Sequence, residues 1–153
     1  MLFRSVTGHV LADWGADVIK IESSKRIDPA RQGRPIVGDQ PDPEQGPMFH
    51  NVNRGKRSIS LDITRPEGAA IVRRLVERAD VVIENMTPGA LKRAGLDYEA
   101  LRQVNERIVM VSQPIGGQTG PFAQKRGYGG TVNAMVGLEF ITGYDPAEGM
   151  VGF

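Results

Sequence analysis

The 153-residue chain is 40% hydrophobic and 24% charged with a formal net charge of +1, which is ordinary globular composition with apolar material for one core and no general attraction to nucleic acid or membrane surfaces. It has no cysteine, which excludes a disulfide framework, a thiolate metal site and a cysteine nucleophile. No stretch approaches the roughly 18 apolar residues of a membrane-spanning helix and the start lacks a signal-peptide core, so a soluble cytoplasmic protein is expected.

Residues 6–14 read as a short helix with Thr7 as its cap and Gly15 as its end, and residues 17–22, DVIKIE, as a strand. Residues 23–48 are rich in Pro, Gly, Asp and Gln without a period, which predicts a long loop holding Lys25, Arg26, Arg31 and Arg34. Residues 58–62 alternate polar and apolar side chains, the mark of a half-buried strand. A helix follows at once. Thr64 and Glu67 have capping-box spacing with Pro66 in the first turn, and Ile71, Val72, Leu75, Val76 and Ala79 share one helical face. Residues 81–83 are β-branched and suit a buried strand, with Glu84 and Asn85 at its carboxyl end. Thr87 is the expected N-cap of the next helix, with Pro88 at its first position. Asp97 caps a helix carrying Leu101 and Val104, residues 107–112 form another strand, and residues 127–137 start a helix.

This strand–helix alternation predicts a right-handed crossover in a mostly parallel sheet, with ligands beyond the carboxyl ends of the strands. The rule points to residues 62–65 and 84–89, where helix N-termini favour anions, and the basic turn NRGKR, residues 53–57, adds charge. The glycine-rich stretch 114–121, PIGGQTGP, lacks dinucleotide spacing and reads as a turn. His9 and His50, the only histidines, have no second ligand at a metal-like spacing, so no metal is expected. There is no nucleophile elbow and no P-loop. Asp62, Asp80 and Asp97 fall at caps and strand ends and read as structural.

Three segments, LADWGADVIKIES from Leu11, NVNRGKRSISLDITRPEG from Asn51 and ADVVIENMTPGALKRAGLDYEAL from Ala79, together resemble the class III coenzyme A transferases, the CaiB/BaiF family. The resemblance runs from about Leu11 to about Thr142 and rests on several motifs in order. It implies an α/β fold with a Rossmann-like three-layer large domain and mostly parallel sheet, truncated here at both ends, and two subunits interlocked like links of a chain. Family members begin with a strand and a glycine loop, so residues 1–5 are expected to be a non-native scar and residues 6–153 the amino-terminal part of the large domain.

By the same resemblance, coenzyme A or acyl-CoA is the ligand. Leu61 and Thr64 occupy positions lining the adenine site. Asn85 and Met86 match an Asn-Phe pair beside the ligand, with a thioether in place of the ring. Arg93 matches a phosphate-facing arginine, Arg126 and Tyr128 match a basic residue and a tyrosine flanking the pocket, and Arg31 matches an arginine in a GDPxR-type segment. From the residues alone, Arg93 also reads as an exposed helix arginine, Lys25, Arg26 and Arg34 as a solvated basic loop, and Lys56 and Arg57 as a solvated turn. The family's transferases attack the acyl-CoA thioester with an aspartate and transfer coenzyme A between carboxylic acids through aspartyl-CoA intermediates. That aspartate is expected beyond Phe153, and Asp145 is not assigned the role. Two alternatives stay open: an acyl-CoA racemase or isomerase of the same family, and a non-catalytic Rossmann-type nucleotide-binding module. A half-domain that only associates with another chain is a further one.

Overall fold

In chain order the elements are α1 (Leu2–Asp13), β1 (Ile19–Glu22), two 3-10 turns (Pro29–Arg31 and Pro43–Gln45), α2 (Pro47–Asn53), β2 (Arg57–Ser60), α3 (Pro66–Val76), β3 (Val81–Glu84), α4 (Ala90–Arg93), α5 (Tyr98–Arg102), β4 (Val109–Ser112), α6 (Gly129–Met135) and α7 (Leu138–Ile141). The computed structural model describes residues 2–32, 42–127 and 129–142. It is an α/β structure of short parallel strands alternating with helices.

The strands pair as β1 with β2 and β3 with β4, both parallel, with Ile21 opposite Ile59 and Ile83 opposite Val111. The expected crossover therefore differs in its partners. The two strands that flank α3 do not pair with each other. The 3-10 turns and α2 make the first parallel connection, and α4 and α5 make the second.

One cluster holds these pieces together. Ala69, Val72 and Val76 of α3 are buried with Leu96, Leu101 and Ile108, and Ile21 of β1, Val82 of β3, Leu61, Ile63, Leu91 and Ala94 pack against them. The apolar face foreseen for α3 is thus its buried face, shifted so that Ala69 replaces the exposed Ile71. Gly68 lets the helix seat itself: a Cβ there would stand 2.2 Å from the Asp62 carbonyl oxygen.

Helix ends carry most of the corrections. α1 begins at Leu2, well before Thr7, because residues 2–5 contain no breaker and ordinary helix formers extend the turn. Its end is as expected. Gly15 has φ +94, Ala16 N–H donates to Leu11 C=O (3.0 Å) and Gly15 N–H to Ala12 C=O (3.0 Å), a Schellman stop. At α3 the capping box does not form. Thr64 donates both its N–H (3.1 Å) and its hydroxyl (2.5 Å) to Asp62 Oδ1, and the N-cap passes to Arg65, which makes no side-chain cap bond. An aspartate two residues upstream captures the donors first. α4 starts after Gly89, whose φ of +82 turns the chain, so Thr87 and Pro88 lie in the preceding turn. Asp97 does take the N-cap position of α5, but without a side-chain cap bond.

Candidate functional site

The residues singled out from sequence fall into three groups. Around the long loop, Arg31 is already engaged. Its Nε and Nη2 donate to the two Glu22 carboxylate oxygens (3.0 Å each), its Nη1 to Glu44 (2.8 Å), and its guanidinium carbon lies 3.5 Å from the Phe49 ring centre. Beside it Lys20 pairs with Asp28 at 2.5 Å, both side chains nearly buried. Burial pushes the Glu22 carboxyl up, but Arg31, Lys20 and the Ser58 hydroxyl together hold it below its ordinary value. The bonds to Glu22 raise Arg31 against the opposing effect of burial, and Glu44 adds to them. Arg31 therefore fastens the loop to the end of β1. Lys25 reaches Asp62 (2.9 Å), and Arg34 lies outside the described residues.

The basic turn before β2 is likewise occupied. Arg54 pairs with Asp13 (3.0 Å), Arg57 chelates Asp17, and Lys56 Nζ donates to the carbonyls of Ser5 (2.7 Å) and Val52 (2.8 Å) and to Asn53 Oδ1 (2.9 Å). These three cations tie α1 and α2 to the sheet, where the sequence suggested free charge.

At the carboxyl ends of the strands, Leu61 is half-buried against the core cluster while Thr64 is exposed. Asp62 accepts from the Thr64 hydroxyl, Lys25 and the Thr64 N–H, in that order of weight, which depresses its carboxyl to about 2. Asn85 and Met86 are half-buried in the loop after β3. Arg93 is exposed at the end of α4, and its guanidinium folds back to within 3.5 Å of where a Cβ on Gly89 would stand. Arg93 and Arg126 have no ion-pair partner among the described residues. Leu61, Leu91 and Ala94 all pack against the core cluster. No hydrogen bond joins Arg126 to this group among the described residues, and Tyr128 lies outside them.

A cavity of about 310 Å³ opens at the same end of β3 and β4, lined among others by Glu84, Lys92, Tyr98, Met110, Ser112 and Gln118. None of the seven expected ligand residues that lie among the described ones is in its lining. Two features here escaped sequence reasoning. Glu84 is buried and accepts from Met86 N–H at 2.6 Å and from Gln118 Nε2 at 3.4 Å. The Gln113 side-chain oxygen is buried without a hydrogen-bond partner. The signal for Glu84 was its place as the last residue of a strand that the sequence reads as buried, although Val81 of that strand is exposed; nothing in the sequence marks Gln113.

Short parallel strands alternating with helices, with polar side chains in the loops at their carboxyl ends, define an α/β protein. The model of CoA-transferase family III matches residues 1–152, and the chain belongs to that family. It is 46% identical to a succinate–glutarate CoA-transferase of Agrobacterium fabrum, covering 94% of this chain and 36% of that protein. It is 39% identical to the human succinyl-CoA:glutarate CoA-transferase, covering 87% of this chain and 30% of that one. Its structure matches a crystal structure of a CaiB/BaiF family protein from Brucella suis with a TM-score of 0.81 and 42% identity, covering 91% of this chain and 36% of that one. The chain thus spans about a third of the length of these relatives. The Rossmann-like α/β fold expected from the resemblance is shared with that neighbour.

Proposed function

We propose that this chain forms part of the coenzyme A site of an acyl-CoA:carboxylate CoA-transferase. The observation that carries the reading is the pair of loops at the carboxyl ends of β2 and β3, with the half-buried Leu61, Asn85 and Met86 and the unpaired Arg93 beside the left-handed turn at Gly89. Arg93 and Arg126 bind phosphate oxygens of coenzyme A. Leu61 and Thr64 line the adenine, with Asn85, Met86 and Tyr128 along the rest of the ligand. Arg31 contributes by keeping the loop that borders the site in place. The names of the relatives support short dicarboxylates, of the succinate and glutarate kind, as acyl donors and acceptors.

In the complete enzyme, an interlocked cytoplasmic homodimer in this reading, an aspartate from outside these 153 residues attacks the thioester carbonyl and coenzyme A leaves as its thiolate. The thiolate then attacks the aspartyl carbonyl of the mixed anhydride, releasing the first carboxylate and leaving an aspartyl-CoA thioester. The incoming carboxylate attacks that thioester and again expels the thiolate. The new anhydride accepts the thiolate at its acyl carbonyl, which forms the product thioester and frees the aspartate.

The chain is therefore expected to bind coenzyme A without turning it over. Arg93→Ala is expected to weaken binding about tenfold, the loss of one charge-assisted bond to phosphate of about 1.5 kcal/mol, and rising salt is expected to weaken the parent more than the variant. Equal affinity of the two proteins would remove Arg93 from the site, and measurable transferase turnover by the chain would contradict the external nucleophile.

A further inference from the structure

Glu84 ends β3 with a side chain only 7% exposed, yet no cation pairs with it among the described residues. Its two oxygens are divided between two loops. Oε2 accepts from the Met86 N–H at 2.6 Å, and Oε1 accepts from Gln118 Nε2 at 3.4 Å. Met86 belongs to the loop that follows β3, and Gln118 to the glycine-rich stretch that follows β4. The backbone repeats the link, because Gln113 N–H donates to the Glu84 carbonyl at 2.8 Å.

A buried carboxylate held only by neutral donors is costly to keep, and burying an apolar side chain at a strand end would cost less. What the carboxylate provides is a short bond that fixes the peptide between Asn85 and Met86 as the chain leaves the strand. A chain leaving a strand has no ladder to orient it. Among the described residues no backbone hydrogen bond holds that peptide, so the bond from Glu84 orients it and with it the Asn85 and Met86 side chains. The weak second contact to Gln118 fits the same purpose, since it links the two loops while the strong bond sets the peptide.

We propose that Glu84 is a positioning residue of the coenzyme A site, acting through the Met86 N–H to hold Asn85 and Met86 in place and through Gln118 to hold the loop after β4 against them. The proposal rests on the reading of that site given above. Glu84 does not touch the ligand in this account; its whole effect passes through the peptide it holds.

The test uses the chain itself, with Glu84→Gln, Gln118→Ala and the double variant. Coenzyme A affinity is measured by calorimetry, the thermal midpoint by circular dichroism, and the Met86 amide by hydrogen exchange. Glu84→Gln keeps the size of the side chain but weakens its acceptor. It is expected to lower affinity about tenfold, equivalent to about 1.4 kcal/mol of lost positioning, and to speed exchange at the Met86 amide. Gln118→Ala removes an exposed amide and is expected to lower affinity a few-fold with the midpoint unchanged. The double variant is expected to bind no more weakly than Glu84→Gln alone, because both act on one peptide. Glu84→Gln binding coenzyme A like the parent, or affinity falling only in step with the thermal midpoint across the three variants, would overturn the proposal. A parent chain that binds no coenzyme A at all would overturn the underlying reading instead, and this proposal with it.

Discussion

Asp62 shows how a side chain four residues before a helix can decide where the helix begins. By taking the Thr64 hydroxyl and N–H it moves the cap to Arg65, and the same bonds with Lys25 hold its carboxyl at about 2. Its folded pKa lies below the ordinary value, so its contribution to stability is complete above about pH 4 and fades as the pH falls towards 2. A carbonyl carbon titration by NMR is expected to place the Asp62 midpoint near 2; a midpoint in the ordinary carboxyl range would show that the turn does not persist in solution. Arg31 makes an opposite case, a residue expected to meet a ligand that instead meets two carboxylates. Arg31→Met leaves the partly buried Glu22 without its main partner and is expected to cost about 1–3 kcal/mol in urea unfolding. A variant of unchanged stability but weaker coenzyme A binding would return Arg31 to the phosphates. At Gly68 a methyl group has no room, and Gly68→Ala is expected to destabilise by about 1–3 kcal/mol by the same measurement despite alanine's better helix propensity.

Among the elements, those with a period or a fixed backbone angle were legible. The alternation of residues 58–62 corresponds to β2, the run 81–83 to β3, and Gly15 stops α1 because only glycine takes its φ of +94 at little cost. What failed to show were choices made by competing hydrogen bonds and by short-range turns. Thr87 and Pro88 carry the chemistry of a helix start, yet Gly89 turns the chain left-handed and α4 begins behind it. Gly89→Ala is expected to cost about 1–2 kcal/mol, with a second effect on Arg93, whose guanidinium rests against that glycine. α2 went unseen for a different reason: its seven residues, Pro47–Asn53, are too few to establish a helical period.

For the molecule as a whole, the α/β class was legible from the order of elements, but the pairing was not. Adjacent patterns in sequence suggested β2 beside β3, while each strand pairs with its other sequence neighbour and α3 joins the two pairs through Ile21 and Val82. Both pairs leave strand edges without ladder partners among the described residues. Such edges favour pairing between chains, and sedimentation is expected to show an average mass that rises with concentration; a constant monomer mass would mean that the edges are covered in solution. The candidate site was legible as a list of residues from a family resemblance. Its internal organisation was not, because whether Arg31 is paired, Arg93 free or Glu84 buried depends on folding that no motif encodes.

The most direct test of the account is a calorimetric titration of the chain with coenzyme A, set beside NAD and ATP under the same salt conditions. The account predicts saturable one-site binding of coenzyme A and much weaker binding of the other two. Tighter binding of NAD or ATP, or no binding of any of the three, would contradict it.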